Sequence, residues 1–387
     1  MGCGFQGTSP NTSIDATPAV DASVPDDSTT EPPPVDARQC FGVGLLKLCL
    51  SAAPTGDVTL PSAIDTGAAG ACTQVLQQAV APDLCVIAGK TITAQGSVTV
   101  QGTRALVLIG AETVTVAASS VLDASSTTNT NPRRTGGGAA RSTCTNPGKA
   151  DDDSGGGGGG GGGGFGTMGG PGGLGDQNNN GPPAGTATGG TAGAALAVPT
   201  ILRAGCRGGD GGDGGNGNKG ALGGDGGGAV YLIAGTSITI DGDVFASGAG
   251  GGAVPGGAGS EQGGGGGGSG GMIGFDAPMV QLNGRIVANG GAGGGGSALT
   301  DGGTPGGDGT TTAWNTRATK GMPGRDGPPS NGTGGDGAPG TAFNAADGID
   351  GGPADGGGGG GGGGLGVVIV YGTMTGGTKV SPAPTPH

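Results

Sequence analysis

The chain has 387 residues, of which 105 are glycine and 26 proline, with only 2% aromatic and 12% charged side chains. A formal net charge of −13 repels a phosphate backbone, and the scarcity of aromatics removes stacking platforms, so nucleic acid is not an expected partner. The only histidine is the final residue, His387, which excludes a Ser-His-Asp triad, a Cys-His pair and a histidine-rich zinc site.

Residues 1–39 read as a tether. Apart from Cys3, the stretch is rich in Ser, Thr, Pro and Asp, with Glu31-Pro32-Pro33-Pro34 inside it. Too few large apolar side chains are present to offset the entropy of ordering it. Cys3 follows the small residue Gly2 and precedes this polar segment, an arrangement that resembles the start of a mature bacterial lipoprotein. The resemblance implies a lipid on Cys3; no charged and apolar leader precedes it in the sequence. Met-Gly-x-x-x-Ser/Thr myristoylation fails because position 6 is Gln6. No apolar run approaches the roughly 20 residues of a spanning helix, so membrane contact is expected only through that lipid.

The six remaining cysteines, Cys40, Cys49, Cys72, Cys85, Cys144 and Cys206, are an even set that suits an oxidising compartment. Six cysteines allow fifteen pairings. Proximity in the chain favours Cys40–Cys49, Cys72–Cys85 and Cys144–Cys206. Zinc is the competing reading, without a Cys-x-x-Cys spacing to support it. Residues 40–84 hold two weak apolar segments, Phe41–Leu48 and Thr73–Val80, and read as a small disulfide-tied cap over the open end of a stack.

From residue 85 to 380 a repeat emerges. Residues 231–248, YLIAGTSITIDGDVFASG, align without a gap with 85–102, CVIAGKTITAQGSVTVQG, and with 273–290, IGFDAPMVQLNGRIVANG. Residues 105–126 fit with one insertion, and 365–380 form a degenerate fifth copy. Each unit has an apolar run, a small-residue turn, an alternating β-branched segment, and a glycine turn at Gly96, Gly242 or Gly284. Alternation of apolar with polar residues is the pattern of half-buried strands. A unit of about 18–20 residues cannot bury its apolar face alone, whereas stacked units can. The expected fold is therefore all-β: a short parallel β-solenoid of about five coils. A β-sandwich of short hairpins is the alternative, and residues 381–387 are expected as a disordered tail.

Glycine-rich inserts occupy about 127–228, 249–271 and 291–364. They include the pure runs Gly155–Gly164 and Gly356–Gly364 and seven consecutive Gly-x-x triplets over 208–228. A period of three belongs to polyproline-II-type helices. Collagen is disfavoured because the triplets slip register and only Gly321–Pro329 looks collagen-like. Polyglycine helices packed closely, and disorder, both stay open. Asp210, Asp213 and Asp225 hold the third position of their triplets and are weak calcium candidates; a solvated acidic face is the plainer reading, as it is for Asp151-Asp152-Asp153.

As a set, the Cys-Phe-Gly start, CVIAGKTIT, GGGAVYLIAG with IDGDVFASG, and GGMIGFDAP with LNGRIVANG resemble the glycine-rich, PGRS-like surface lipoproteins of myxobacteria and related Deltaproteobacteria. In composition the chain is also similar to mycobacterial PGRS proteins and glycine-rich antifreeze proteins. The resemblance implies a cell-surface, outer-membrane or secreted location and brings no established activity to transfer. The expected function is that of a non-catalytic structural or adhesion protein with a cell-surface or extracellular-matrix partner and no cofactor. Two alternatives are carried. One is a β-helical polysaccharide lyase or hydrolase, which the lack of recurring carboxylate pairs disfavours; Asp243 and Arg285 share one aligned position and read as solvent-facing variation. The other is ice or surface-water binding by the flat glycine face.

Overall fold

Strands form where apolar residues alternate with Thr, Ser and Val, and extended glycine segments fill the intervals between them. A computed structural model describes residues 39–387 except 129–131, 140–143, 145–146, 178, 180–182, 197–198, 256–260, 326–344 and 353–355. Cys3, the tether to residue 38 and the collagen-like stretch beyond Arg325 lie outside the described residues.

The fold is all-β with parallel sheets. The larger sheet runs in chain order through β3 (Val58–Thr59), β6 (Leu84–Ala94), β8 (Ala105–Val116), β10 (Ala229–Ala234), β13 (Met272–Leu282), β15 (Val367–Gly376) and β17 (Thr385–Pro386). β11 (Ser237–Ile240) continues β10 end to end: β10 pairs with the first halves of β8 and β13 and β11 with their second halves, closing a four-strand cycle of parallel ladders. The second sheet also follows chain order, through β4 (Ala63–Asp65), β7 (Ser97–Gln101), β9 (Val121–Asp123), β12 (Asp243–Phe245), β14 (Ile286–Val287) and β16 (Val380–Ser381). Among the described strands, antiparallel pairing joins only β1 (Gln39–Phe41) with β2 (Leu48–Leu50), and β5 (Gln74–Leu76) with β6; isolated antiparallel bridges link Gln101 to Gly136, Thr127 to Arg134 and Gly175 to Ala187. A sandwich built from hairpins is therefore not the arrangement.

A side-chain period of two decides what each face buries. Ile92, Val114, Ile238 and Val280 of the larger sheet meet Val98, Leu122, Val244 and Ile286 of the smaller one in a single core. The first halves of the large strands are apolar on both faces, as parallel strands covered on both sides require. Val107, Ile109, Tyr231 and Ile233 point away from the smaller sheet and lie under Phe41, Leu46, Phe165 and Leu202. Complete burial of one such aliphatic side chain contributes about 1.5–3 kcal/mol.

The ungapped alignment holds for the second halves, where Ile238 pairs with Val280. It is one residue off in the first halves, where Tyr231 pairs with Gly274 and not Ile273. Irregularities at Gly89/Thr91 and Asp276/Met279 absorb the difference. A slip of one residue exchanges faces, and accordingly Ile273 and Tyr231 belong to different cores.

Two expectations at the ends of the chain change. Residues 40–84 do not act as one cap. The β1–β2 hairpin lies over the face of the large sheet, while β3, β4 and β5 extend the two sheets past β6 and β7. Residues 381–387 are not a loose tail, since β17 pairs with β15, the His387 N–H donates to the Val370 carbonyl, and the His387 ring stacks on Tyr371 at 5.0 Å. The three disulfides join Cys40–Cys49, Cys72–Cys85 and Cys144–Cys206.

The glycine inserts leave after β9, β12 and β14 and return at β10, β13 and β15. Much of their described length is extended and hydrogen-bonded sideways at every third residue, with a 3-10 turn at Gly215–Gly217. Gly157, Gly160 and Gly163 donate to the carbonyls of Glu261, Gly264 and Gly267 and accept from Gly358, Gly361 and Gly364. Gly159 and Gly162 donate to Gly173 and Gly170 and accept from Gly190 and Gly193; Gly158 and Gly161 accept from Gly212 and Gly209, and Gly158 donates to Asp151. These bonds are 2.7–3.0 Å long and tie one extended segment to six others. Within the 155–164 run only Gly156 has positive φ, so the run needs glycine for close approach and not for backbone freedom. A Cβ on Gly162 would overlap the Gly362 carbonyl oxygen.

Gly162→Ala is expected to destabilise the fold by about 1–3 kcal/mol through overpacking. Gly56→Ala, where a Cβ meets nothing within 4 Å, should stay within about 0.5 kcal/mol of the parent. Chemical denaturation of the two variants side by side checks this.

Candidate functional site

The most site-like constellation surrounds Asp276, a lone carboxylate in the apolar strand MIGFDAP of β13. Its side chain is 2% exposed. The turn Gly42-Val43-Gly44 between Cys40 and Cys49 presents successive backbone N–H groups to it. The Val43 N–H donates at 3.0 Å and the Gly44 N–H at 2.8 Å, both to Oδ2. The Tyr231 hydroxyl donates to the same oxygen at 3.2 Å and accepts from the Leu45 N–H at 3.2 Å. Successive N–H groups on a turn form a concave anion site, and here the anion belongs to the protein itself. Gly42 makes the turn with φ 86°, and Gly274 leaves room for the Tyr231 ring, which a Cβ would strike.

Burial, reinforced by the Asp276 charge, pushes the Tyr231 phenol far above its ordinary value, and the same two causes raise Tyr371. A cleft of about 280 Å³ opens beside the cluster, lined by Phe41, Val43, Asp276 and Pro278 among others. The Asp276 oxygens are engaged by donors of the same chain, so the cluster is a latch that fixes the N-terminal hairpin on the sheet. Sequence reasoning missed it; the signal was an acidic residue inside an otherwise apolar strand.

The residues singled out from the sequence fall elsewhere. Asp210 and Asp225 both face Arg207, at 2.6 and 3.7 Å. Asp213 pairs with Lys219. Burial pushes Asp213 up, but the Lys219 ammonium and the Gly220 N–H outweigh it and hold the carboxyl below the usual range. Among the described residues no three His, Cys, Asp or Glu side chains gather where a metal could sit. At these positions each carboxylate faces a cation of the same chain, with Arg207 shared between Asp210 and Asp225.

Asp243 and Arg285 are not independent surface variation. Their shared alignment position puts them on adjacent strands, and Arg285 Nη2 lies 2.5 Å from Asp243 Oδ2 with Nε 3.0 Å from Oδ1. Asp151 and Asp152 are exposed as expected, whereas Asp153 is buried. It accepts the Gly155 N–H at 2.8 Å beside the buried Asp176. Burial, followed by the neighbouring Asp176, raises the Asp153 carboxyl above its ordinary value. No protein-family model, curated protein or solved structure matches the chain.

Two measurements follow from these groups. Asp276→Ala leaves the Val43 and Gly44 amides without their acceptor, which should cost about 1–3 kcal/mol and speed their hydrogen exchange. Because folding raises the Tyr231 value, the stability it contributes is complete below about pH 10 and declines as pH rises toward the folded value. Tyr231→Phe should therefore flatten the alkaline limb of the stability curve. Asp153 follows the same sign in the acid range: its contribution is complete below about pH 4 and declines as pH rises through the raised value. Asp153→Asn should remove that slope in a pH series of thermal melts.

Proposed function

We propose that the chain is a non-catalytic display protein of the cell surface, with an adhesion or envelope-structure role. In this reading the two chain-ordered sheets form a β-solenoid of about five coils. The excursions form a polyglycine-II-type bundle that is presented as a rigid block. The observation carrying the proposal is the sideways hydrogen bonding of the 155–164 segment to six neighbours. Such a block has few rotatable side chains to order on contact and an extended surface for a partner. Three disulfides suit an oxidising compartment. Cys3 and the tether supply a lipid anchor to the outer membrane. The buried Asp276 carboxylate is committed to internal donors, which does not support the polysaccharide-enzyme alternative.

The test is fractionation of the native protein. It should sediment with outer membranes, and Cys3→Ala should release it in soluble form with its disulfides intact. Recovery in the cytosol with all thiols reduced would overturn the proposal.

A further inference from the structure

The outer face of the second half of the large sheet carries an ordered array that the bundle does not cover. β3, β6, β8, β11, β13 and β15 pair here in unbroken parallel register, because the irregularities at Gly89/Thr91 and Asp276/Met279 fall before it. One row across the strands reads Thr59, Thr93, Thr115, Thr239, Gln281 and Thr375. The row two residues earlier includes Thr91, Thr113, Ser237, Met279 and Thr373. Residues between the rows, such as Ile92, Val114, Ile238 and Val280, point into the core, so the row residues point out.

Strand spacing sets neighbours within a row about 4.8 Å apart, and the two-residue period sets the rows about 6.6 Å apart. Across six strands the longer row extends about 24 Å. Threonine is β-branched and stiff at χ1, so methyls and hydroxyls are held in place before any ligand arrives. The hydroxyls of Thr93, Thr115 and Thr239 have no hydrogen-bond partner among the described residues.

Charge and shape narrow the occupant. In a chain of net charge −13, the row positions within the strands carry no charge, and the one carboxylate level with them is Asp57 at the β3 end of the second row. At the margin, Asp57 accepts from the Thr91 hydroxyl and Lys90 pairs with Glu112. A neutral face complements a neutral lattice. The absence of aromatic side chains from both rows removes the stacking that a sugar ring would use.

We propose that this threonine ladder is an ice-binding face, its hydroxyls and methyls ordering water in register with the crystal. The sequence reading placed ice binding on the flat glycine surface; the geometry moves it to the sheet. The inference rests on the ladder alone and holds with or without a lipid anchor.

The test uses the purified full chain in thermal hysteresis and partition into slowly grown ice. Wild type should show both. Thr115→Lys and Thr239→Lys, at half-buried positions on the outer face and with unchanged melting temperature, should each lose at least 10-fold. Met168→Lys, on the bundle surface at 45% exposure, should keep full activity. Absence of hysteresis in wild type overturns the proposal, as does retention by both ladder variants or loss through Met168→Lys. Binding to crystalline cellulose that Thr239→Lys abolishes, without ice partition, would assign the face to a polysaccharide and equally overturn it. Membrane fractionation is unaffected by any of these results.

Discussion

Everything in this molecule depends on backbone approaching backbone without a Cβ between. In the bundle, an alanine methyl at Gly159, Gly162 or Gly263 would occupy the volume of a neighbouring carbonyl oxygen. Removing side chains lets each extended segment reach several others and satisfy its N–H and C=O groups laterally. Fixing glycine costs more conformational entropy than fixing any other residue. The offset comes from backbone hydrogen bonds, each worth about 0.5–1.5 kcal/mol net, made sideways between segments and not within one. The outgoing and returning ends of each insert are fixed by the sheets, so the inserts do not close as free loops.

The sheets and the bundle hold each other in place. Phe165 and Leu202, both within an insert, lie on the outer face of the large sheet beside the N-terminal hairpin. The Cys144–Cys206 bridge clamps the longest insert where it passes that face. On the same face the Asp276 latch converts a costly buried carboxylate into an anchor by aiming backbone dipoles at it. The outer face of the second half of the sheet carries its threonine rows at the surface, half-buried in the middle and exposed at the edges. One continuous sheet is thus divided into a half buried on both faces and a half whose outer face lies at the surface.

Much of the fold was legible from the residues. The repeat units, their strand pairs and the three disulfides follow from apolar alternation and chain proximity. The bulges were not legible, because Gly89/Thr91 and Asp276/Met279 carry no residue pattern that marks a skipped position. The Asp243–Arg285 contact was visible only as an alignment column, since complementary charges at one position look like variation until the copies are known to be adjacent. The latch was hidden because its donors, Val43 and Gly44, stand more than 230 residues from Asp276.

By itself the sequence determined composition-level exclusions, the β repeat and the period of three within the glycine inserts, because these are local patterns. Only the tertiary structure decided that the inserts pack against one another. It also decided that the acidic triplet positions face Arg207 and Lys219, and that the terminal residues join the sheet. The physical reason is the same in each case. A glycine carries no side chain to announce its neighbours, so which segments touch is set by where the two sheets release and recapture the chain.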